Sequence, residues 1–165
     1  SDKLYVCQTN VIRDLASKGP CVIVGRCADY VLKDRPNTIS VFLKAEMQSK
    51  VERAVKYYGV DPQKAEDRIR KADKQRASYY NYYATATWGD VNNYDLCVDT
   101  GKLGVEGTAE LIARFVELRQ AMLEAKKAKA DAKAAEEAKK AEAESVLKKL
   151  LAEGMSADEI LAKLK

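Results

Sequence analysis

Two apolar rhythms alternate along the chain. Leu4, Cys7, Val11, Ile12 and Leu15 recur at helical spacing, and Gly19-Pro20 closes that run. Cys21-Val-Ile-Val24 follows as a short continuous apolar run, the pattern of a strand buried on both faces. Further strands are predicted over 39–43, after the Pro36-Asn37 turn, and over 96–98, ending at Asp99-Thr100. Between these two, Met47, Val51, Ala54, Val55 and Tyr58 share a helical face closed by Gly59. Asp61 and Pro62 open another helix as N-cap and first helical residue. It is rich in Arg and Lys and runs into Tyr79-Tyr80-Asn81-Tyr82-Tyr83. Leu111, Ile112, Phe115 and Met122 mark a last helix. Strands alternating with helices imply an α/β fold whose parallel sheet is covered on both faces. Ligands of such sheets sit beyond the C-terminal strand ends, which singles out Gly25-Arg26 and Asp99-Thr100.

The pattern changes near Leu118. Residues 119–165 are mostly Ala, Lys, Glu and Leu, with one Gly and no Pro. They predict one helix from about 106 to 153, with Glu136–Lys140 and Lys133–Glu137 as i,i+4 pairs. Ala is the only apolar residue over 126–144, so this stretch has no face for a core or a coiled coil. Apolar spacing returns at Val146, Leu147, Leu150 and Leu151. Gly154 ends the helix, and Ser156-Ala-Asp-Glu159 reads as a capping box for a short terminal helix carrying Ile160, Leu161 and Leu164. The expected organisation is a domain over 1–118 and a helical extension over 119–165 with a docking tip.

Composition excludes several functions. Histidine is absent, which removes His-based acid–base catalysis, Ser-His-Asp and Cys-His nucleophiles and His-containing zinc sites. A net charge of +4 over 165 residues is too balanced to signal nucleic-acid binding by itself. No apolar run is long enough to cross a membrane, and no signal peptide is visible. The cysteines at 7, 21, 27 and 97 have no CxxC spacing, so no metal site is expected. They read as reduced cytoplasmic thiols, with Cys21 and Cys97 acting as small buried hydrophobes. Neither G-x-x-x-x-G-K-[ST] nor G-x-G-x-x-G occurs, so the chain carries no recognisable phosphate cradle.

Three groups remain as candidates for chemistry. Gly25 at a strand end permits an unusual backbone angle, and the Arg26 fork beside it suits a phosphate or carboxylate. Arg68, Arg70, Lys71, Lys74 and Arg76, interleaved with Asp67 and Asp73, are either a solvated face or a face turned towards an anion. The four clustered tyrosines either stack on bases or split into two buried and two exposed; the second reading is favoured.

Four stretches together resemble the cytidylate kinase-like family of P-loop nucleoside monophosphate kinase relatives. They are Cys21-Val-Ile-Val-Gly-Arg-Cys-Ala-Asp-Tyr30, Asp73-Lys-Gln-Arg-Ala-Ser-Tyr-Tyr-Asn-Tyr-Tyr83, Trp88-Gly-Asp90 and Tyr94-Asp-Leu-Cys-Val-Asp-Thr100. The resemblance covers roughly residues 3–118 and implies part of a P-loop-kinase-like, three-layer α/β/α fold with a parallel sheet. It implies transfer of the ATP γ-phosphoryl, with Mg²⁺, to a nucleoside monophosphate such as CMP. By this resemblance the substrate-binding candidates are Gly25 and Arg26 at the acceptor motif, Asp29 just beyond it and Asp99 at the end of the last strand, and Arg70, Lys74 and Arg76 are the lid candidates.

Two departures follow from the same resemblance. The family motif Gly-Arg-Asp has Cys27 in third place here, leaving Asp29 to supply the carboxylate. The family's phosphate-binding segment, with a strand lying between those expected at 21–24 and 39–43, is absent from these residues. A sheet without that strand leaves buried ladder groups unpaired, at about 1–3 kcal/mol each. The chain alone is therefore expected to be inactive. An upstream segment or another chain completes the sheet, or the sheet closes differently. The alternative is a non-catalytic nucleotide- or protein-binding scaffold with a helical docking arm. A homo-oligomer stays open, a membrane role is not expected, and the near-neutral charge argues against nucleic acid.

Overall fold

The computed structural model describes residues 2–154 and 156. Helix α1 (Asp2–Lys18) carries an acid in its first turn and a base in its last, both favourable to the helix dipole. Gly19, at φ 150°, and Pro20 end it. A four-residue helix α2 (Ala28–Val31) follows, then β1 (Val41–Lys44) and α3 (Met47–Tyr58). Gly59 is left-handed at the end of α3, and the Val60 N–H closes on the Ala54 carbonyl at 3.2 Å. Helix α4 (Pro62–Tyr83) begins as its capping residues predict: the Asp61 carboxylate accepts from the Gln63 N–H at 3.0 Å, with Pro62 at the first helical position. A single 3-10 turn, Val91–Asn93, leads into β2 (Leu96–Asp99), and α5 spans Thr100–Ala152.

The sheet has two parallel strands, with Val41 opposite Leu96 and Lys44 opposite Asp99. The α3–α4 pair forms the crossover between them, as a parallel connection requires. Both strands therefore finish at the same edge. At their other end, Ser40 donates to the Asp95 carboxylate from its N–H and its hydroxyl, at 2.8 and 3.1 Å. The expected α/β class, partial fold and long C-terminal helix are all present.

The strand expected over 21–24 does not form. Val22 and Val24 are 94% and 88% exposed, and Cys21 is exposed rather than a buried hydrophobe. The sequence pattern identified an apolar extended segment, but a strand also needs a neighbour for its N–H and C=O groups. Here β1 pairs with β2, and no described strand reaches 21–24.

The chain divides into two compact units, Ser1–Ile112 and Ala113–Lys165. In the first, the central cluster is Cys27, Tyr80 and Ala84, surrounded by Tyr5, Tyr30, Tyr79, Tyr83, Ala86 and Trp88. In the second, residues 126–144 are exposed throughout, as a stretch without an apolar stripe should be. Helix α5 breaks at Gly104 (φ 69°, ψ −174°), so its long continuous part starts just after that residue. The expected capping box at 156–159 and the terminal helix around Ile160, Leu161 and Leu164 lie outside the described residues.

Candidate functional site

Gly25, Arg26 and Cys27 stand in succession at φ 70°, 58° and 56°. Only glycine adopts this left-handed region freely; each non-glycine residue there costs roughly 1–2 kcal/mol. The turn is held by the Ala28 N–H donating to the Gly25 carbonyl at 3.1 Å, and by burial of Cys27, which is 3% exposed. Burial, reinforced by the Asp29 carboxylate, pushes the Cys27 thiol up to about 11. The turn thus drives Cys27 inwards and leaves Arg26 exposed.

The tyrosines build the wall behind this turn. Tyr80 is buried and donates to Asp29 Oδ2 at 2.6 Å. Burial, then that bond and the Asp29 charge, raise the Tyr80 phenol well above its ordinary value. Tyr79 donates to Gln8 Oε1 at 2.8 Å, while Tyr83 stacks on Tyr5 with centroids 4.1 Å apart. Tyr82 is exposed. The expected division into buried and exposed rings resolves as one buried, two half-buried and one exposed.

A second group gathers where the strands end. Asp99 Oδ2 lies 3.8 Å from Lys44 Nζ, and Asp99 Oδ1 accepts from the Gly101 N–H at 2.9 Å. The Arg53 guanidinium donates to the Thr100 hydroxyl at 3.2 Å, and that hydroxyl donates to the Lys44 carbonyl at 3.2 Å. Gly101 packs tightly at this junction: a Cβ there would stand 2.8 Å from Ser49 Oγ and 3.2 Å from Asp99 Oδ1, so any side chain would displace Ser49. One helical turn before Arg53, Lys50 meets Asp73 of α4 at 2.6 Å, and Asp73 also accepts from Arg76 at 2.7 Å. Burial opposes ionisation of Asp73, but Lys50 and then Arg76 outweigh it and hold the carboxyl below its ordinary range.

The seven predicted positions fall into three places. Gly25, Arg26 and Asp29 share the left-handed turn and its wall. Asp99 lies at the strand ends. Arg70, Lys74 and Arg76 lie on α4, where Arg70 pairs with Glu66 at 2.5 Å and Arg76 with Asp73; Lys74 is exposed. Thr100 stands at the strand end that the sequence singled out, whereas Lys50 and Arg53 were passed over there. The one signal for these two is their three-residue spacing, which puts both on one side of α3. Among the described residues, no three His, Cys, Asp or Glu side chains are grouped to hold a metal ion.

Residues 1–102 match the model of the cytidylate kinase-like family. The chain belongs to that family. Its cytidylate kinase-like part is 25% identical over 113 residues to a cytidylate kinase of Methanopyrus kandleri, covering 64% of this chain and 58% of the relative. It is 28% identical over 105 residues to a cytidylate kinase of Pyrococcus horikoshii, covering 63% and 53%. The structure also resembles that of an uncharacterized protein from Eubacterium ventriosum, with a TM-score of 0.65, 37% identity, and coverage of 68% of this chain and 64% of the other. The chain therefore spans little more than half the length of the curated relatives it matches.

Proposed function

We propose that this chain is the acceptor-binding and lid portion of a nucleoside monophosphate kinase that passes the ATP γ-phosphoryl to a nucleoside monophosphate such as CMP. The observation that carries this reading is the strained Gly25-Arg26-Cys27 turn. Strain of this kind persists where the surroundings over-determine it, and it concentrates at ligand sites. Here it exposes a guanidinium fork suited to a phosphate, backed by a carboxylate already fixed by Tyr80. Arg26 would take the acceptor phosphate. Asp29 Oδ1 would accept an N–H from the base. Arg70, Lys74 and Arg76 would offset phosphate charge from the lid, and Asp99 would lie near the nucleotides at the strand ends. Phosphoryl transfer needs mainly such positioning and charge stabilisation.

These residues do not make a holder for ATP. The chain contains no glycine-rich phosphate loop, and the described residues offer no cluster of metal ligands. Mg²⁺ is commonly held by substrate phosphates with one or two carboxylates, so it would come with the nucleotide. The chain alone is accordingly proposed to be inactive, with an upstream segment or another chain completing the sheet beside 21–24. The second reading, a non-catalytic scaffold, is favoured by the extension over 119–165, whose stretch 126–144 is helical and exposed.

CMP titrated into the chain should shift the Arg26 side-chain resonance, and Arg26→Ala should weaken CMP binding by about ten- to a hundred-fold. The purified chain should show no ATP-dependent CMP phosphorylation. CMP binding that is unaffected in a folded Arg26→Ala variant would remove the reading. A full-length protein that carries a glycine-rich loop and binds CMP without turnover would favour the scaffold.

A further inference from the structure

Helix α5 carries a pattern that the kinase-like reading does not use, beyond the residues 1–102 that match the family. Phe115, Leu118, Met122 and Ala125 follow the alternating three- and four-residue spacing of a coiled-coil seam. Leu118 and Met122 are 57% and 63% exposed, so the seam lies largely open among the described residues. Beside it, Arg119, Lys126, Lys133 and Lys140 recur at every seventh residue, on the flank where a coiled coil meets its partner's charges. They form a basic row with one charge about every 10 Å. Composition does not produce this row, because residues 119–165 hold 11 basic against 9 acidic side chains. Glu117, Glu124 and Asp131 recur at the same interval, but about 160° round the helix from the basic row. The other flank of the seam is small and uncharged at Ala121, Ala128 and Ala135. Lys133 and Lys140 meet Glu137 and Glu136 at 3.8 and 2.8 Å, in exposed pairs of little strength that a partner can displace.

We propose that α5 from Phe115 to Lys140 is a docking surface for an amphipathic helix of another protein, whose apolar stripe lies on the seam and whose acidic side chains meet the basic row. The charges argue against a second copy of this chain. Laid antiparallel, a second copy sets basic row against basic row; laid parallel, it sets the row against Ala121, Ala128 and Ala135, which offer no charge. The unequal flanks argue against an anionic bilayer, which meets both sides of a seam alike, whereas a helix touches along one line. The surface is independent of nucleotide binding, so it stands or falls apart from the acceptor reading.

Two synthetic helical peptides test it, each four heptads long with Leu at both seam positions. One carries Glu at the two flanking positions and the other carries Lys. The full chain should bind the Glu peptide at least about ten-fold more tightly than the Lys peptide, and less tightly as salt rises. Lys126→Glu/Lys133→Glu should reverse the preference, a gain for the Lys peptide that a misfolded chain would not show. Leu118→Gln should weaken the Glu peptide by about ten-fold through lost apolar burial, with CMP titration unchanged. Binding of neither peptide overturns the proposal, as do equal binding of both, a preference that survives the double reversal, and an undiminished affinity in Leu118→Gln. A dimer in sedimentation that Leu118→Gln abolishes would assign the seam to a second copy and overturn it. Capture by phosphatidylserine vesicles without binding of the Glu peptide would assign it to a membrane and overturn it equally.

Discussion

Arg26 pays for its exposure with backbone strain, and that separates two substitutions usually treated alike. Alanine removes the guanidinium but keeps a Cβ in the left-handed region; glycine removes both. Glycine loses part of the gain to greater freedom in the unfolded chain, roughly 0.5–1 kcal/mol. Arg26→Gly should therefore be more stable than Arg26→Ala by about 1 kcal/mol in urea unfolding, while both lose CMP binding. Equal stabilities would show that the φ of 58° carries no cost. The next residue makes a pH prediction. Cys27 is a neutral acid whose folded pKa is raised by burial from 9.0 to about 11. The unfolded chain gives up this proton first, so the stabilisation is complete below pH 9 and is lost as pH rises through about 11. Tyr80, raised in the same direction, adds to the loss in strong alkali. Denaturant midpoints should thus fall across that alkaline window, and a thiol reagent at pH 8 should modify exposed Cys7 and Cys21 well before Cys27. The sequence disclosed Gly25-Arg26 as a motif but not the strain, since nothing in the identity of Arg26 or Cys27 demands a positive φ. The inward turn of Cys27 comes from the tyrosine wall, which is tertiary.

At the scale of elements, local signals were the ones that could be read. Asp61-Pro62 starts α4 and Gly59 ends α3 because capping depends on a few adjacent residues. Asp61→Ala should cost about 1 kcal/mol in thermal or urea unfolding, the usual worth of an N-cap. No loss would mean that the Gln63 N–H finds another acceptor. Strands behaved differently. The apolar run at 96–98 became β2 and the equally apolar run at 21–24 became nothing, although their compositions are alike. Whether a partner lies alongside cannot be read from four residues. The same limit hid the meeting of Arg53 with Thr100, which spans 47 positions in the chain. It also hid the Lys50–Asp73 bridge, 23 positions apart.

For the molecule as a whole, the two units predict separable behaviour. Residues 126–144 have high helix propensity and no buried face, so their helicity depends on local bonds and pairs such as Glu136–Lys140 at 2.8 Å. Their amides should exchange within seconds to minutes, while those of β1 and β2 are retained longer. Truncation after Ala125 should remove much of the helical circular-dichroism signal and leave the melting temperature of the rest within a few degrees. A large drop in that temperature would show that the extension supports the α/β unit.

The unladdered segment at 21–24 has a colloidal consequence. Four uncharged residues of high β-propensity, with two valines almost wholly in water, are a template for edge-to-edge growth between molecules. Lys18 and Arg26 flank the run as charged gatekeepers, but none lies within it. The purified chain should therefore scatter light increasingly with concentration. Val22→Lys should suppress that scattering without lowering stability, because a side chain 94% exposed has little packing to lose.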